Sequence, residues 1–173
     1  MLTAPPPAPE AYSATIRRSD GGVTKLWITS DRKRIEYYLG DQLQSVIISD
    51  SEAREIRNYT PAARECLVTP MPPPGTEVWH PDGDAKLTPE TSEMIDGRPC
   101  TRFGVDHGHG TTELRWYDEG TGLHRRVQTF DLTGKPALTL DWLDVQIGTP
   151  PSSVFNPLPG YREFKVPPPR RRR

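Results

Sequence analysis

Asp106, His107 and His109 are the residues best placed to hold an ion, because side chains two apart on a strand point to the same side. Transition-metal sites take three or four ligands, however, and no other Cys or His lies near them in sequence. The stretch Asp106-His107-Gly108-His109 therefore reads as a solvated hairpin tip, and no metal is expected. Cys66 and Cys100 are the only cysteines, and neither belongs to a Cys-x-x-Cys pair. They are either two buried thiols or, if the chain is exported to an oxidising compartment, a disulfide contributing about 3 to 4 kcal/mol. Ser152 and Ser153, beside Pro150 and Pro151, are better placed to cap a helical turn than to attack a substrate. Asp118-Glu119 and Asp141 with Asp144 fall at turn or polar-face positions, where carboxylates meet solvent. With no GxSxG, HExxH, Walker or GxGxxG pattern, the sequence offers no catalytic constellation and no cofactor motif. The expectation is a protein that is not an enzyme.

Composition and charge narrow the partners. A chain of 173 residues is about one domain's worth. Leu, Ile, Val and Phe total 34 residues, a share bordering on disorder, but a net charge of −1 lacks the self-repulsion that disorder of this kind needs. With 20 prolines and 14 glycines there are too many breakers for a helical bundle. Four of the 22 basic residues are Arg170 to Arg173, so residues 1–169 hold 18 basic against 23 acidic side chains, a net −5. An acidic body argues against a nucleic-acid partner. The arginine tail could meet acidic lipid head groups at about 1 kcal/mol per residue, though a solubilising tail is the plainer reading. No apolar run reaches the roughly 18 residues of a transmembrane helix, and the start MLTAPPPAPEAY lacks the regions of a signal peptide.

These residues must be carried by strands. From Ala11 to Tyr59 five short β-prone runs alternate with turn signals such as Asp20-Gly21-Gly22 and Gly40-Asp41. Strands resume with TSEMI, PCTRFGV, TELRWYD, LHRRVQTFD and ALTLDWLDVQI. In the last run the apolar phase slips at Trp142-Leu143, which predicts a β-bulge. SSVFNPLPGYREF reads as a helical turn capped by Ser152 and then a short strand. Residues 1–10 form a Pro-rich tether, 11–166 one domain, 60–92 a Pro-rich insert within it, and 167–173 a Pro/Arg tail. So many consecutive strands favour a curled or partly closed sheet.

Three stretches carry a family likeness: IDGRPCTRFGV, ELRWYDEGTGLHRRVQTFDLTGK, and DWLDVQIGTPPSSVFNPLPGY with its closing Phe155, Pro157, Gly160 and Tyr161. In this order they resemble the LolA-like superfamily of outer-membrane lipoprotein carriers and their relatives. The resemblance implies an all-β, strongly curved, incompletely closed antiparallel barrel of about ten to eleven strands, with little helix. It also implies a periplasmic or otherwise exported protein of the bacterial envelope.

The same resemblance implies a concave face that binds acyl chains, lipid or lipoprotein. Strand parity offers Trp27, Tyr37, Leu39, Ile47, Leu114, Trp116, Leu140 and Trp142 for its lining, with Met71 and Trp79 in the Pro-rich insert as a lid. The alternative is an interaction or envelope-sensing domain whose concave face is filled by its own 60–92 segment and whose partner is another envelope protein. A monomer is expected.

Overall fold

The computed structural model describes residues 2–72, 85–108 and 110–167. Its elements are β1 (Tyr12–Arg18), β2 (Gly22–Ile28), β3 (Arg32–Leu39), β4 (Gln42–Asp50), β5 (Glu55–Thr60), β6 (Glu65–Pro70), β7 (Lys86–Ile95), β8 (Arg98–Asp106), β9 (Thr111–Asp118), β10 (His124–Phe130), β11 (Pro136–Ile147) and β12 (Arg162–Lys165). Two 3-10 turns, Pro61–Ala63 and Ser152–Phe155, are the only helical elements among the described residues. The strands hydrogen-bond in the order β12-β6-β5-β4-β3-β2-β1-β11-β10-β9-β8-β7, and β12 and β7 end the sheet without pairing to each other. The fold is thus all-β and the sheet is not closed, as the resemblance implied, with twelve strands among the described residues rather than ten or eleven. One pairing departs from the antiparallel expectation, because β12 runs parallel to β6.

Two strand segments lie inside the expected Pro-rich excursion. In β6, Cys66 and Val68 are buried while Leu67 is exposed, a period of two that the surrounding prolines hide in the sequence. β7 begins at Lys86 and contains Pro89, which an edge strand tolerates because one side of its backbone has no ladder to complete. The register also shifts between Pro89 and Thr91, so the proline sits at an irregularity. In β11 the backbone leaves the extended region at Asp144, with φ 48°, one residue beyond the expected slip at Trp142-Leu143. The turn Ser152–Phe155 forms where expected, but Pro151 occupies its N-cap and no side chain caps it, so Ser152 does not have that role.

The described residues pack as two compact units. The first comprises Met1–Pro9, Ile16–Gly21 and Val78–Asp144. Phe103 and Val105 on β8 are fully buried, Tyr117 on β9 and Val127 on β10 nearly so, and Phe103 meets Tyr117 edge-on at 5.5 Å. The N-terminal segment is docked on this unit rather than a free tether. The Leu2 backbone N–H donates to Thr101 Oγ1 at 2.9 Å, and the buried Thr101 hydroxyl donates onward to Glu119 at 2.6 Å. Gly122, with φ +70°, lies so close to the segment that a Cβ there would run into the Pro6 carbonyl oxygen and sit 2.8 Å from that of Pro7.

The second unit comprises Glu10–Thr15, Gly22–Glu77 and Val145–Arg173. Its core is Val46 and Ile48 of β4, Tyr59 of β5, and Cys66 and Val68 of β6, with Leu43, Leu158 and Tyr161 packed against it. Residues 152–161 cover this face. The Leu158 N–H donates to Tyr59 Oη at 3.1 Å, Tyr161 meets the Tyr59 ring edge-on at 5.1 Å, and Arg34 Nη1 donates to the Val154 carbonyl at 2.7 Å.

Gly122→Ala should test the docked N-terminal segment. The strained φ and the collision with Pro6 predict a loss of about 1 to 3 kcal/mol in urea unfolding. Residues 2–9 should also become open to proteolysis, whereas Gly21→Ala, whose added Cβ would meet no atom within 4 Å, should leave them protected.

Candidate functional site

Cross-strand register builds the candidate site in the second unit. Leu26 pairs with Ile35, Ile35 with Ile47, Ile47 with Asn58, Asn58 with Leu67, and Leu67 with Phe164. Paired residues share a face, so these six side chains make one row across six strands. Five strand spacings of about 4.8 Å give it a length of roughly 24 Å. Five of the six are apolar, and Asn58 is the single polar interruption. None belongs to the buried cluster of this unit. Leu26, Ile35 and Ile47 are half-buried, and Leu67 and Phe164 are exposed at 43% and 42%. The flanking rows are mixed: Thr24, Tyr37 and Ser45 on one side, and Ile28, Lys33, Ser49, Ile56 and Thr69 on the other.

The opposite face of these strands is closed and charged. Trp27 pairs with Arg34, Arg34 with Ile48, and Ile48 with Arg57. The Arg34 guanidinium lies 5.7 Å from the Trp27 ring and pairs with Glu36, which is itself buried and accepts the Tyr38 hydroxyl at 2.6 Å. Burial first, and then that hydrogen bond to a carboxylate, push the Tyr38 phenol up to about 12. Trp27 therefore cannot line the face that Tyr37 and Ile47 share. Leu39 has the parity of Tyr37 and stands 52% exposed at the end of its hairpin.

In the first unit the sequence-derived lining divides in the same way. Trp116 pairs with Arg126 and Arg126 with Asp141, while Leu114 pairs with Gln128 and Gln128 with Thr139. Leu140 and Trp142 alternate with Asp141 and so face the other side. Trp116 is 5% exposed, in a cluster with Ile95 and Cys100, and its indole N–H donates to Glu93 at 2.8 Å. It is a core residue, not a lining one. Leu114 does open onto a cleft of about 540 Å³, together with Phe130, Leu132 and Glu90. On the other face a ladder of rings joins Tyr117, His124 and Trp142 at 4.5 and 5.3 Å.

The remaining candidates are structural in their surroundings. Met71 is half-buried and its N–H donates to the Arg54 carbonyl at 2.8 Å; Trp79, its expected partner in a lid, lies outside the described residues. The Asp106 carboxylate accepts the Gly108 and Gly110 N–H groups at 2.7 and 2.9 Å, which makes it the clasp of the hairpin tip; His109 lies outside the described residues. Among the described residues no group of three His, Cys, Asp or Glu is placed to hold a metal. Asp118 is 3% exposed and accepts the N–H groups of Gly120 and Thr121 at 2.9 and 3.0 Å, and Asp141 pairs with Arg126 and Arg17. Cys66 and Cys100 are both free and fully buried, each in its own apolar cluster. Burial raises the Cys66 thiol, and burial followed by the Asp118 carboxylate pushes Cys100 up to about 11.

The chain shares its fold with solved structures. An uncharacterised conserved protein from Thermus thermophilus superposes with a TM-score of 0.70, at 10% identity, over 90% of each chain. MucB superposes with a TM-score of 0.59, at 12% identity, over 88% of this chain and 59% of that one. The match to the Pseudomonas aeruginosa MucA/MucB complex has a TM-score of 0.61, at 11% identity, over 90% and 58%. The present chain thus spans less than three fifths of the MucB chain. A LolA superfamily protein from Nitrosomonas europaea also matches, over 87% and 91% of the two chains at 11% identity and a TM-score of 0.37. No protein-family model and no curated protein matches the sequence.

The thiols give a pH prediction. An acid whose folded-state pKa is raised is held neutral by the fold, so stability is full below the unfolded value near 9 and falls as pH rises toward 11. Urea midpoints should decline over that interval, and Cys100→Ala should flatten the decline. Neither thiol should react with Ellman's reagent at pH 8 until denaturant is added.

Proposed function

We propose that this protein is a non-enzymatic binder of acyl chains in the bacterial cell envelope, and that the row Leu26, Ile35, Ile47, Leu67 and Phe164 is its binding face. The observation that carries the reading is the row itself. Five apolar side chains in a row that crosses six strands, outside the buried core, leave water-exposed area that an elongated apolar ligand would cover. A 14-carbon chain laid along it would gain about 11 kcal/mol gross at roughly 0.8 kcal/mol per methylene, much of which association costs offset. The likeness to the LolA-like superfamily, first read in the sequence, supports both the ligand class and an exported location. Asn58, midway along the row, adds one hydrogen-bonding point against which the polar end of a chain or a linkage within it could register.

A second reading is favoured by one observation. MucB, whose fold this chain shares, was solved in complex with MucA(peri). By analogy the partner would be another envelope protein, bound to the same apolar row.

Native mass spectrometry of protein purified from bacteria should show co-purified lipid, and a fluorescent fatty acid should bind in the micromolar range or tighter. Leu26→Asn and Ile35→Asn should each weaken that binding at least tenfold with little change in circular dichroism. Lys25→Gln, on the opposite face, should leave it unchanged. Absence of both lipid and fatty-acid binding would reject the acyl-chain reading in favour of the protein partner.

A further inference from the structure

We propose that Asn58 makes the apolar row selective for acyl chains that carry a hydroxyl group within the chain, over plain hydrocarbon chains. This selectivity rests on the acyl-chain reading of the face. Asn58 stands mid-strand in β5, where asparagine is disfavoured, with Ile47 and Leu67 as its cross-strand neighbours and Ile56 two residues away on the same strand and face. Its side-chain amide has no hydrogen-bond partner among the described residues and is only half-buried, so in the free protein water solvates it. The amide therefore neither completes the hydrogen bonds of the fold nor packs in its core. A strand preference broken without structural return marks a functional position.

Covering the row changes the balance. A plain alkyl chain laid along it would strip the water from Asn58 and leave its carbonyl and amide N–H groups unpaired, which costs more than a typical hydrogen bond contributes. Position decides between a polar chain end and a polar group inside the chain. Asn58 is fourth of the six residues, with Ile47, Ile35 and Leu26 on one side and Leu67 and Phe164 on the other. At about 4.8 Å per strand these arms are roughly 14 Å and 10 Å long. A chain that ends at Asn58 covers one arm and leaves the other wet, whereas a chain with an interior polar group covers both. A hydroxyl suits the amide because its single oxygen both donates and accepts; an ester only accepts and leaves the Asn58 carbonyl unpaired. Hydrocarbon walls alone give no reward for a hydroxyl, but a site that hydrogen-bonds one rejects the analogue that lacks it.

The test is displacement of a fluorescent fatty acid from the full chain by oleic acid and by ricinoleic acid, which is oleic acid with one added hydroxyl near mid-chain, both below the concentrations at which they form micelles. Ricinoleic acid should displace the probe at a concentration at least about fivefold lower, the reverse of the order that an apolar surface alone imposes. Asn58→Leu should restore that apolar order, tightening oleic acid and weakening ricinoleic acid, with circular dichroism unchanged. Asn58→Val, which places a β-favouring side chain in the strand, should do the same and decides the matter if the leucine variant does not fold. If both acids bind but oleic acid binds as well or better, or if the preference for ricinoleic acid survives both substitutions, the proposal is overturned while the acyl-chain reading stands. If neither acid binds, both fall.

Discussion

Backbone pairing between neighbouring strands is the constraint on which the rest of this structure depends. Side chains alternate along each strand, so the register of the ladder decides which residues of different strands share a face, and a slip of one residue would exchange the two faces. In the second unit the ladder sets Val46 beside Tyr59 and Tyr59 beside Cys66, which gives the buried core. The same ladder sets Ile35 beside Ile47 on the reverse side and produces the apolar row. Core and candidate site are thus two outcomes of one hydrogen-bond pattern. Neither can be moved without the other.

The two faces differ in how their polar groups are treated. On the core face the buried Glu36 carboxylate is paired with Arg34, and the partly buried Arg57 guanidinium meets Glu55 and the exposed Glu163. Leaving Glu36 unpaired would cost more than the pair itself contributes. On the row face Asn58, Thr24, Ser45, Ser49 and Thr69 are partly exposed and Lys33 is exposed, so water reaches them without such an arrangement. A face that solvates its polar groups and leaves its apolar ones half-covered is one that can change partners.

Much of the strand order was legible because turn residues and two-residue alternation are local signals. β1 to β5 and β8 to β11 lie where runs such as KRIEYYL and TELRWYD place them. β6 and the start of β7 were hidden because prolines dominate residues 60–92, and a proline at a strand end or on an edge strand looks in sequence like one that breaks a strand. The docking of residues 2–9 left no local trace either, since Gly122 reads as an ordinary turn glycine until Pro6 is seen against it. The candidate site was legible only in part. Parity within a strand groups Tyr37 with Leu39, but nothing in the sequence says that Trp27 pairs with Arg34 and so turns away from Ile47. Pairing between strands is a property of the assembled sheet, and the binding face is written in that pairing.

The parallel seat of β12 has a consequence for how the chain is made. Arg162 pairs with Glu65, close to a hundred residues earlier, whereas the antiparallel neighbours β2 to β6 join through short turns. Local hairpins can close as soon as they leave the ribosome, but β12 closes a loop of nearly a hundred residues and carries a correspondingly larger entropic cost. The covering residues 152–161 arrive with it. Until residues 152–165 have been made, the nascent second unit therefore presents Tyr59, Cys66 and Val68 uncovered beside an unfilled β6 edge. An uncovered core face beside an open strand edge is the kind of surface through which folding intermediates aggregate.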